Sequence, residues 1–491
     1  MAKMRFPRRC WNWIRSQADG LPFGLAPFII FLMVVVSGGW LLFHPIRQST
    51  ATLRLWTFAN THAAAYEKAV HPDPNFPGRS FEEKFRGYRF PDGRKIDVTV
   101  DVQLVHGVAV TSRLRAAMWS DLDVPDLVEV EISSAGSFFR GPVEEVGFVD
   151  LTPYLKSSRL NPSDPNSPSL LDRIVNTRFA PYTNRGRIFG LPHDVHPVML
   201  AYRRDLFEQL GLDPNKMETW DDFIREGRRI TRQGERYMIQ LSDAGAGNLE
   251  TLLFQRDGGY FDANGVLRMD DEIAFETVKW YIPLVVGPGM IGNDFGASGQ
   301  TFAQAVEDGH ILSFICPDWR SKFAERDMPN LSGKMALMPL PAVRPGDRRT
   351  STWGGTMLAI TERCPNKDLA WKLAQHLYLD PDDLAGRFRE LNILPPVKDV
   401  WELPAFEERR PYWSNQRIGK DYAKLAQDVP PQYASPYIEL AKSKMNEVVS
   451  ACVTYWREHK EPDAKDFDAF VRAQLKQAAD QVRRQMARNP F

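Results

Sequence analysis

Two imidazoles and a carboxylate stand together in "GLPHDVHPVML": His193, Asp194 and His196, enclosed by Pro192 and Pro197. Neither proline can donate a ladder hydrogen bond, so an uninterrupted central strand is disfavoured here. The polar groups belong either to a surface loop or to a crossover that turns them toward something. Similar groups sit at the ends of other apolar runs. Trp56, Asn60 and His62 lie in "LWTFANTH", and Glu131 and Ser133 close "VEVEIS". "CPDW" sets Asp318 and Trp319 after a strand-like run, and "TWGG" sets Trp353 and Gly354 before one. Flat aromatic faces stack on the apolar faces of sugar rings, while carboxylates and amides fork hydrogen bonds to vicinal hydroxyls. A polyol requires that mixture, because each buried hydroxyl left unpaired costs roughly 1–3 kcal/mol.

Each residue also has a purely structural reading. Trp56 alternates into a strand as a core side chain, and Trp319 after a Pro-Asp turn caps a core. Trp353 packs beside Gly354 and Gly355, which permit close backbone approach. The histidines bond backbone carbonyls in a loop, and Asp194 braces the crossover. Metal binding by the three is disfavoured, since two prolines within five positions obstruct facial coordination.

Catalytic signatures are missing. There is no GxSxG elbow, no HExxH, no Walker loop and no GxGxxG after a strand. "GAGN" at Gly245 is too short to cradle phosphate and carries no lysine. No pair of carboxylates is singled out as the acid and base of a glycosidase. The sequence therefore predicts no enzyme, no cofactor and no metal.

The elements that must position these residues alternate. Residues 52–59 are β-rich, residues 96–105 alternate as a half-buried strand, "SRLRAAMWS" is helical, and residues 126–132 return to strand. Strand, helix, strand predicts a parallel sheet with crossovers, which binds ligands at the carboxyl ends of its strands. Residues 71–95 hold Pro72, Pro74, Pro77, Gly78, Pro91 and Gly93 and read as a loop or insertion. "TWDDFIREGRRI" places Trp220, Phe223, Ile224, Gly227 and Ile230 on one helical face, with Thr219 as N-cap and Asp222 three residues on. "EIAFETVKWYI" is a helix stopped or kinked by Pro283. Strands are predicted at 311–316, 335–343 and 355–361. Helices follow at "DLAWKLAQHLYL" and at 467–486, the latter with Phe467, Val471, Ala478 and Val482 on one side.

A chain of 491 residues exceeds what one hydrophobic core usually supports, so two or more lobes are expected. Its 62 basic and 62 acidic residues cancel, and no basic stripe alternates with aromatics, which argues against nucleic acid. Cys10, Cys316, Cys364 and Cys452 have no paired spacing; the last three read as free buried thiols. Residues 1–20 carry Lys3, Arg5, Arg8, Arg9 and Arg15 against Asp19 alone, and residues 21–43 carry no charge. That run is long enough to cross a hydrocarbon core, and the basic flank keeps its side cytoplasmic. A cleaved signal sequence is the rival, but its apolar region is usually about 7–15 residues. Cys10 precedes the run, which disfavours lipidation there.

The segments "DLVEVE", "VDLTPYL", "GRIFGLPHDVHPVMLAYRRDLFEQLGLD", "TWDDF", "GGYFDANG" and "TSTWGGTMLAITERCPNKDLAWKLAQHLYL" resemble family-1 extracellular solute-binding proteins, the maltose-binding-like receptors of ABC importers. "LWTFANTHAAAY", "EIS" and "CPDWRSKFAERDMPNLSGKMALMPLPA" resemble its lactose- or arabinose-type sugar receptors. The likeness runs from about Leu53 to the C-terminus. It implies an α/β, two-lobed periplasmic-binding-protein-like fold with crossing hinge strands, the first within 192–200 and the second near 353–358. His193, Asp194 and His196 then face the inter-lobe cleft, and Trp319 is a stacking platform.

The lobes expected are 51–195 with 354–400, and 196–353 with 401–491, after a cytoplasmic segment (1–20) and a transmembrane anchor (21–43). The resulting expectation is a monomeric, single-pass, extracytoplasmic receptor that passes a sugar or oligosaccharide to an ABC permease. A membrane-anchored sensor with a signalling partner and a glycoside-active enzyme are the alternatives. The chain departs from the family in three places: its tether, the 71–95 stretch expected beside the cleft, and Ala59 and Asn60 where the subgroup carries a polar or acidic pair.

Overall fold

The computed structural model describes residues 30–33, 35–36, 51–120 and 123–488. Met1–Ala51 and Thr52–Phe491 are separate units, and the second carries both sheets described below. Residues 30–33 and 35–36 are helical and exposed. Among the described residues no helix is long and apolar enough to cross a membrane. The rest of the expected anchor at 21–43, the basic segment 1–20 and Cys10 lie outside the described residues.

Ten strands build two five-stranded sheets. In chain order they are β1 (Leu53–Thr57), β2 (Val100–Leu104), β3 (Leu127–Glu131), β4 (Leu191–Pro192), β5 (Val198–Arg203), β6 (Ile239–Gln240), β7 (Gly292–Asn293), β8 (Ser313–Pro317), β9 (Met335–Pro339) and β10 (Thr356–Ile360). The first sheet runs β2-β1-β3-β10-β4 and the second β7-β6-β8-β5-β9. In the first, β1 pairs parallel with β2 and β3, while β10 is antiparallel to β3 and β4. In the second, β6 is parallel to β7 and β8, and β5 lies antiparallel between β8 and β9. The interior strands β5, β8 and β10 are buried at every position, which is why they read as unbroken apolar runs rather than alternating ones.

The chain leaves the first sheet after Pro192 and enters the second at Val198; it returns between Pro339 and Thr356. The two crossing segments lie side by side, joined by an antiparallel bridge between Pro197 and Thr352. The paired prolines are thus explained. Each ends or begins a ladder where the backbone changes sheets, so no interior donor is lost.

Helices pack on these sheets by their apolar stripes. In α1 (Asn60–Val70) the buried residues are His62, Tyr66 and Val70, four apart on one face. In α2 (Trp220–Ile230) they are Trp220, Phe223, Ile224, Gly227 and Ile230, and both capping-box bonds between Thr219 and Asp222 form. Next comes α3 (Gly247–Gln255). α4 runs over Glu272–Val285, so of the stop or kink expected at Pro283 the helix end comes two residues past the proline. Pro283 falls in its last turn, where the helix ends two residues later and one missing hydrogen bond disturbs little beyond it. After α5 (Asp318–Asp327), the chain closes with α6 (Ile438–His459) and α7 (Ala464–Arg488). Phe467, Val471, Leu475, Ala478 and Val482 of α7 share a core with Val448 and Cys452 of α6. Cys316, Cys364 and Cys452 are buried free thiols.

Residues 71–95 are neither a plain loop nor a neighbour of the strands' carboxyl ends; Glu82 accepts from the Val100 amide at the start of β2. They contain a helical turn at Phe81–Lys84, capped by Ser80 and Glu83, and a short ladder of Tyr88–Arg89 with Lys95–Ile96. That ladder takes Ile96 away from β2, so the predicted 96–105 strand is split. Arg79 and Lys84 reach Asp382 and Asp380, each at 3.5 Å. The stretch therefore packs at the C-terminal end of α1, about 16 Å from its start at 1.5 Å per residue.

Candidate functional site

A cavity of about 650 Å³ opens where the carboxyl ends of β1, β3 and β8 meet the two crossing segments. That position is the one expected of a ligand site in an open α/β sheet. Its size falls in the usual range of about 300–1,000 Å³ for small-molecule pockets. Phe58 and Ala59 follow β1, Ile132 and Ser133 follow β3, and α5 begins directly after β8.

One face of α5 lines the cavity. Trp319, Lys322, Phe323 and Arg326, at spacings of three and four, all border it. Trp319 and Trp353 meet edge to face at 5.8 Å, and the Trp319 Nε1–H donates to the Trp353 carbonyl at 3.0 Å. Phe323 stands against the other side of Trp319 at 5.4 Å. These contacts fix two indoles and a phenyl as a rigid aromatic corner. Gly354 completes it. Its φ is +91°, and a Cβ there would meet Trp319 Nε1 at 3.3 Å and the His196 ring at 3.4 Å.

Across the cavity the Glu131 carboxylate ends β3, exposed and with no hydrogen-bond or ion-pair partner among the described residues. Its oxygens are free to accept from ligand hydroxyls. Lys442 and Glu250 pair at 3.0 Å on the second wall.

The floor is a polar chain that spans the crossing. Arg178 donates to Asp194 Oδ1 and to the Asp194 carbonyl at 3.0 Å each, to Thr352 Oγ1 at 3.1 Å and to the Gly354 carbonyl at 3.2 Å. His196 Nε2 lies 3.0 Å from Asp194 Oδ2, and its Nδ1 lies 2.6 Å from Asp318 Oδ1. Asp318 Oδ2 accepts from the Leu394 amide at 2.7 Å. Burial works against a charged His196, but the two carboxylates outweigh it and raise the imidazole to about 9. Burial likewise works against charge on Asp194, yet His196, His193 and Arg178 hold its carboxyl well below the usual range. Asp194 and His196 are therefore an ion pair at neutral pH, attached to both crossing segments. These attachments make it a hinge brace.

Behind His62 lies a second buried centre. Glu129 accepts from the hydroxyls of Thr57, Tyr66 and Tyr378, and its Oε2 lies 3.1 Å from His62 Nδ1. Burial pushes this carboxyl up, but His62, His193 and the Thr57 hydroxyl hold it at about 2. His193 stacks 4.4 Å from His62 and is pushed down to about 4 by burial and by His62. His62, Glu129 and His193 bring one potential ligand atom each within 4.8 Å of the others. The four donors already on Glu129 explain the cluster as a buried carboxylate and its partners.

Of the residues singled out in the sequence, the structure brings His62, Glu131, Ser133, Asp194, His196, Trp319, Trp353 and Gly354 to the cavity wall. Four are elsewhere. Trp56 is a core residue: its indole donates to Gln103 at 3.0 Å under the Arg113 guanidinium and packs with Val128 and Val130. Asn60 is an exposed residue in the first turn of α1. His193 is buried behind His62, and Asp318 is buried beneath His196. Both act on the wall from behind. Lys322, Phe323 and Arg326 were not anticipated, because the helix that brings them beside Trp319 was not predicted. Glu250, Lys442 and Gln432 were not either, and they reach the cavity from distant parts of the chain.

Comparison with known proteins agrees with this architecture. The profile of the bacterial extracellular solute-binding proteins matches residues 78–382. An arabinooligosaccharide-binding protein of Halalkalibacterium halodurans is 24% identical over 385 residues, covering 78% of this chain and 79% of that one. A lactose-binding protein of Rhizobium radiobacter is 25% identical over 272 residues, covering 53% and 64%. Among solved structures, the sugar-binding protein MalE of Xanthomonas citri superposes with a TM-score of 0.67 at 17% identity, covering 89% of this chain and 99% of that one. The profile match spans more than half of the sequence, and the chain belongs to the bacterial extracellular solute-binding protein family.

Proposed function

We propose that this protein is the extracytoplasmic binding component of an ABC importer, and that it holds a carbohydrate in the cleft between its two lobes. The observation that carries the reading is one combination: the unpartnered Glu131 carboxylate and the aromatic corner of Trp319, Trp353 and Phe323 line the same cavity of about 650 Å³. A sugar ring has two apolar faces and an equator of hydroxyls, and this wall offers a stacking surface and an acceptor for each. The relatives named for arabinooligosaccharide and lactose binding support the same ligand class. The protein performs no chemistry on the sugar. It works by differential binding, since the ligand touches both lobes only in the closed state.

The charge-free run at 21–43, with its basic flank, supports a single-pass anchor that leaves the lobes outside the cytoplasmic membrane.

Thermal unfolding against a panel of mono- and oligosaccharides tests the proposal. At about 1,000 times its dissociation constant a true ligand adds roughly 4 kcal/mol of stability. The expected result is an upward shift with a subset of the sugars that is lost in Trp319→Ala. No shift with any sugar, or an undiminished shift in Trp319→Ala, would reject it.

A further inference from the structure

A smaller chamber of about 210 Å³ adjoins the main cavity. Five residues line both: Ile132, Ser133, Glu250, Gln432 and Lys442. By itself the chamber is below the usual lower size of about 300 Å³ for a ligand site, so it is an extension of the cleft and not a second site. Its walls come from three directions. Ser133, Gly136 and Pro181 belong with the first sheet, Phe254 and Tyr260 follow from α3, and residues 430–434 form the third side. Gly136 permits that third side to close, because a Cβ there would collide with the Ser435 backbone.

The chemistry of the annex matches that of the cleft. Phe254, Tyr260 and Tyr433 supply aromatic surface. The Gln432 Oε1 is buried and has no hydrogen-bond partner, an acceptor without a donor at the junction of the two chambers. Such an atom is destabilising until a donor reaches it. The Glu250–Lys442 pair stands at the same junction, with Glu250 held by the Tyr260 hydroxyl at 3.3 Å. A threshold that both donates and accepts suits a passing hydroxylated chain.

We infer that the ligand is an oligosaccharide of three or more residues, one of which turns past the Glu250–Lys442 pair into this annex and gives Gln432 its missing donor. The inference rests on the carbohydrate reading of the main cleft and adds chain length to it. A ring in the annex touches both lobes and residues 430–434 at once, so it strengthens the closed state beyond what the main cleft achieves.

The test is calorimetric titration of the full chain, kept soluble in non-ionic detergent, with di-, tri- and tetrasaccharides of the arabinan, galactan and maltodextrin series. In the series that binds, the dissociation constant is expected to fall at least tenfold from disaccharide to trisaccharide or tetrasaccharide. Gly259→Leu adds bulk at the annex wall, where a Cβ meets the Phe254 ring at an ordinary 3.5 Å. Tyr433→Ala removes a wall ring. Both residues line the annex and not the main cavity. Each variant should abolish the length step and leave disaccharide affinity within about twofold. Affinity independent of chain length, or a step that survives in both variants, would overturn the annex and leave the carbohydrate reading standing. Binding of no saccharide by any of the three proteins would overturn both.

Discussion

Two histidines three positions apart, both buried, titrate on opposite sides of the ordinary value of 6.5. Burial lowers both, and neighbours decide the outcome. His193 faces His62 and falls to about 4, whereas His196 lies between two carboxylates and rises to about 9. The signs of their effects on stability follow by linkage. Between about pH 4 and 6.5 the unfolded chain binds a proton that folded His193 rejects, so this residue makes stability rise with pH. Between 6.5 and about 9 folded His196 keeps a proton that the unfolded chain releases, so stability falls as pH rises. For a fully buried group displaced this far, the alkaline loss is on the order of 3 kcal/mol. Denaturant unfolding at pH 6.5 and pH 9 should show that loss in the wild type and a much smaller one in His196→Gln. Equal losses in both proteins would mean that His196 does not carry the charge described.

At the scale of elements, the clearest local rule is the cap of α2. Thr219 Oγ1 accepts from the Asp222 amide, and Asp222 Oδ2 accepts from the Thr219 amide at 3.1 Å. Thr219→Ala removes the first bond and should cost about 1 kcal/mol, read as a lower urea midpoint with an unchanged slope. An unchanged midpoint would show that packing of Trp220 and Phe223 alone holds the helix. This helix, its buried face and its cap were legible because every signal lies within a few residues of the next. The longer strands β1, β3, β8, β9 and β10 were legible for the same reason, whereas the two-residue β6 and β7 carry too little pattern to be read. Legibility failed where a polar residue chooses among distant partners. Arg178 reads as an unremarkable basic residue, yet it binds Thr352 and Gly354, 174 and 176 positions away. The 71–95 stretch was misplaced because its prolines announce a break in structure but not the end of the helix against which the break packs. Trp56 was misread in part because strand alternation shows that a side chain is on a face, without showing what covers that face.

For the molecule as a whole, the chain passes between the two sheets through residues 193–197 and 340–355, and Arg178 ties these two segments together. Two of its four bonds fix Asp194 and two fix the second segment; Asp194 fixes His196, which in turn holds Asp318 at the start of α5. Glycine is needed where the guanidinium reaches the second crossing, since a Cβ on Gly355 would run into Arg178. The brace therefore sets the angle from which closure begins. A ligand that moves a 1:99 balance of closed to open to 99:1 must prefer the closed form by roughly 10⁴-fold. Any widening of the unliganded ensemble subtracts from apparent affinity, because the competent state becomes rarer. Arg178→Met keeps most of the side-chain volume and removes every donor. Breaking a buried pair in this way costs about 3–5 kcal/mol, so the variant should be less stable. It should also show a larger unliganded radius of gyration by small-angle scattering, a full return to the wild-type value at saturating saccharide, and a weaker dissociation constant. Lower stability with the unliganded radius and the affinity unchanged would make Arg178 a core residue that happens to lie near the hinge, and would place the control of closure elsewhere.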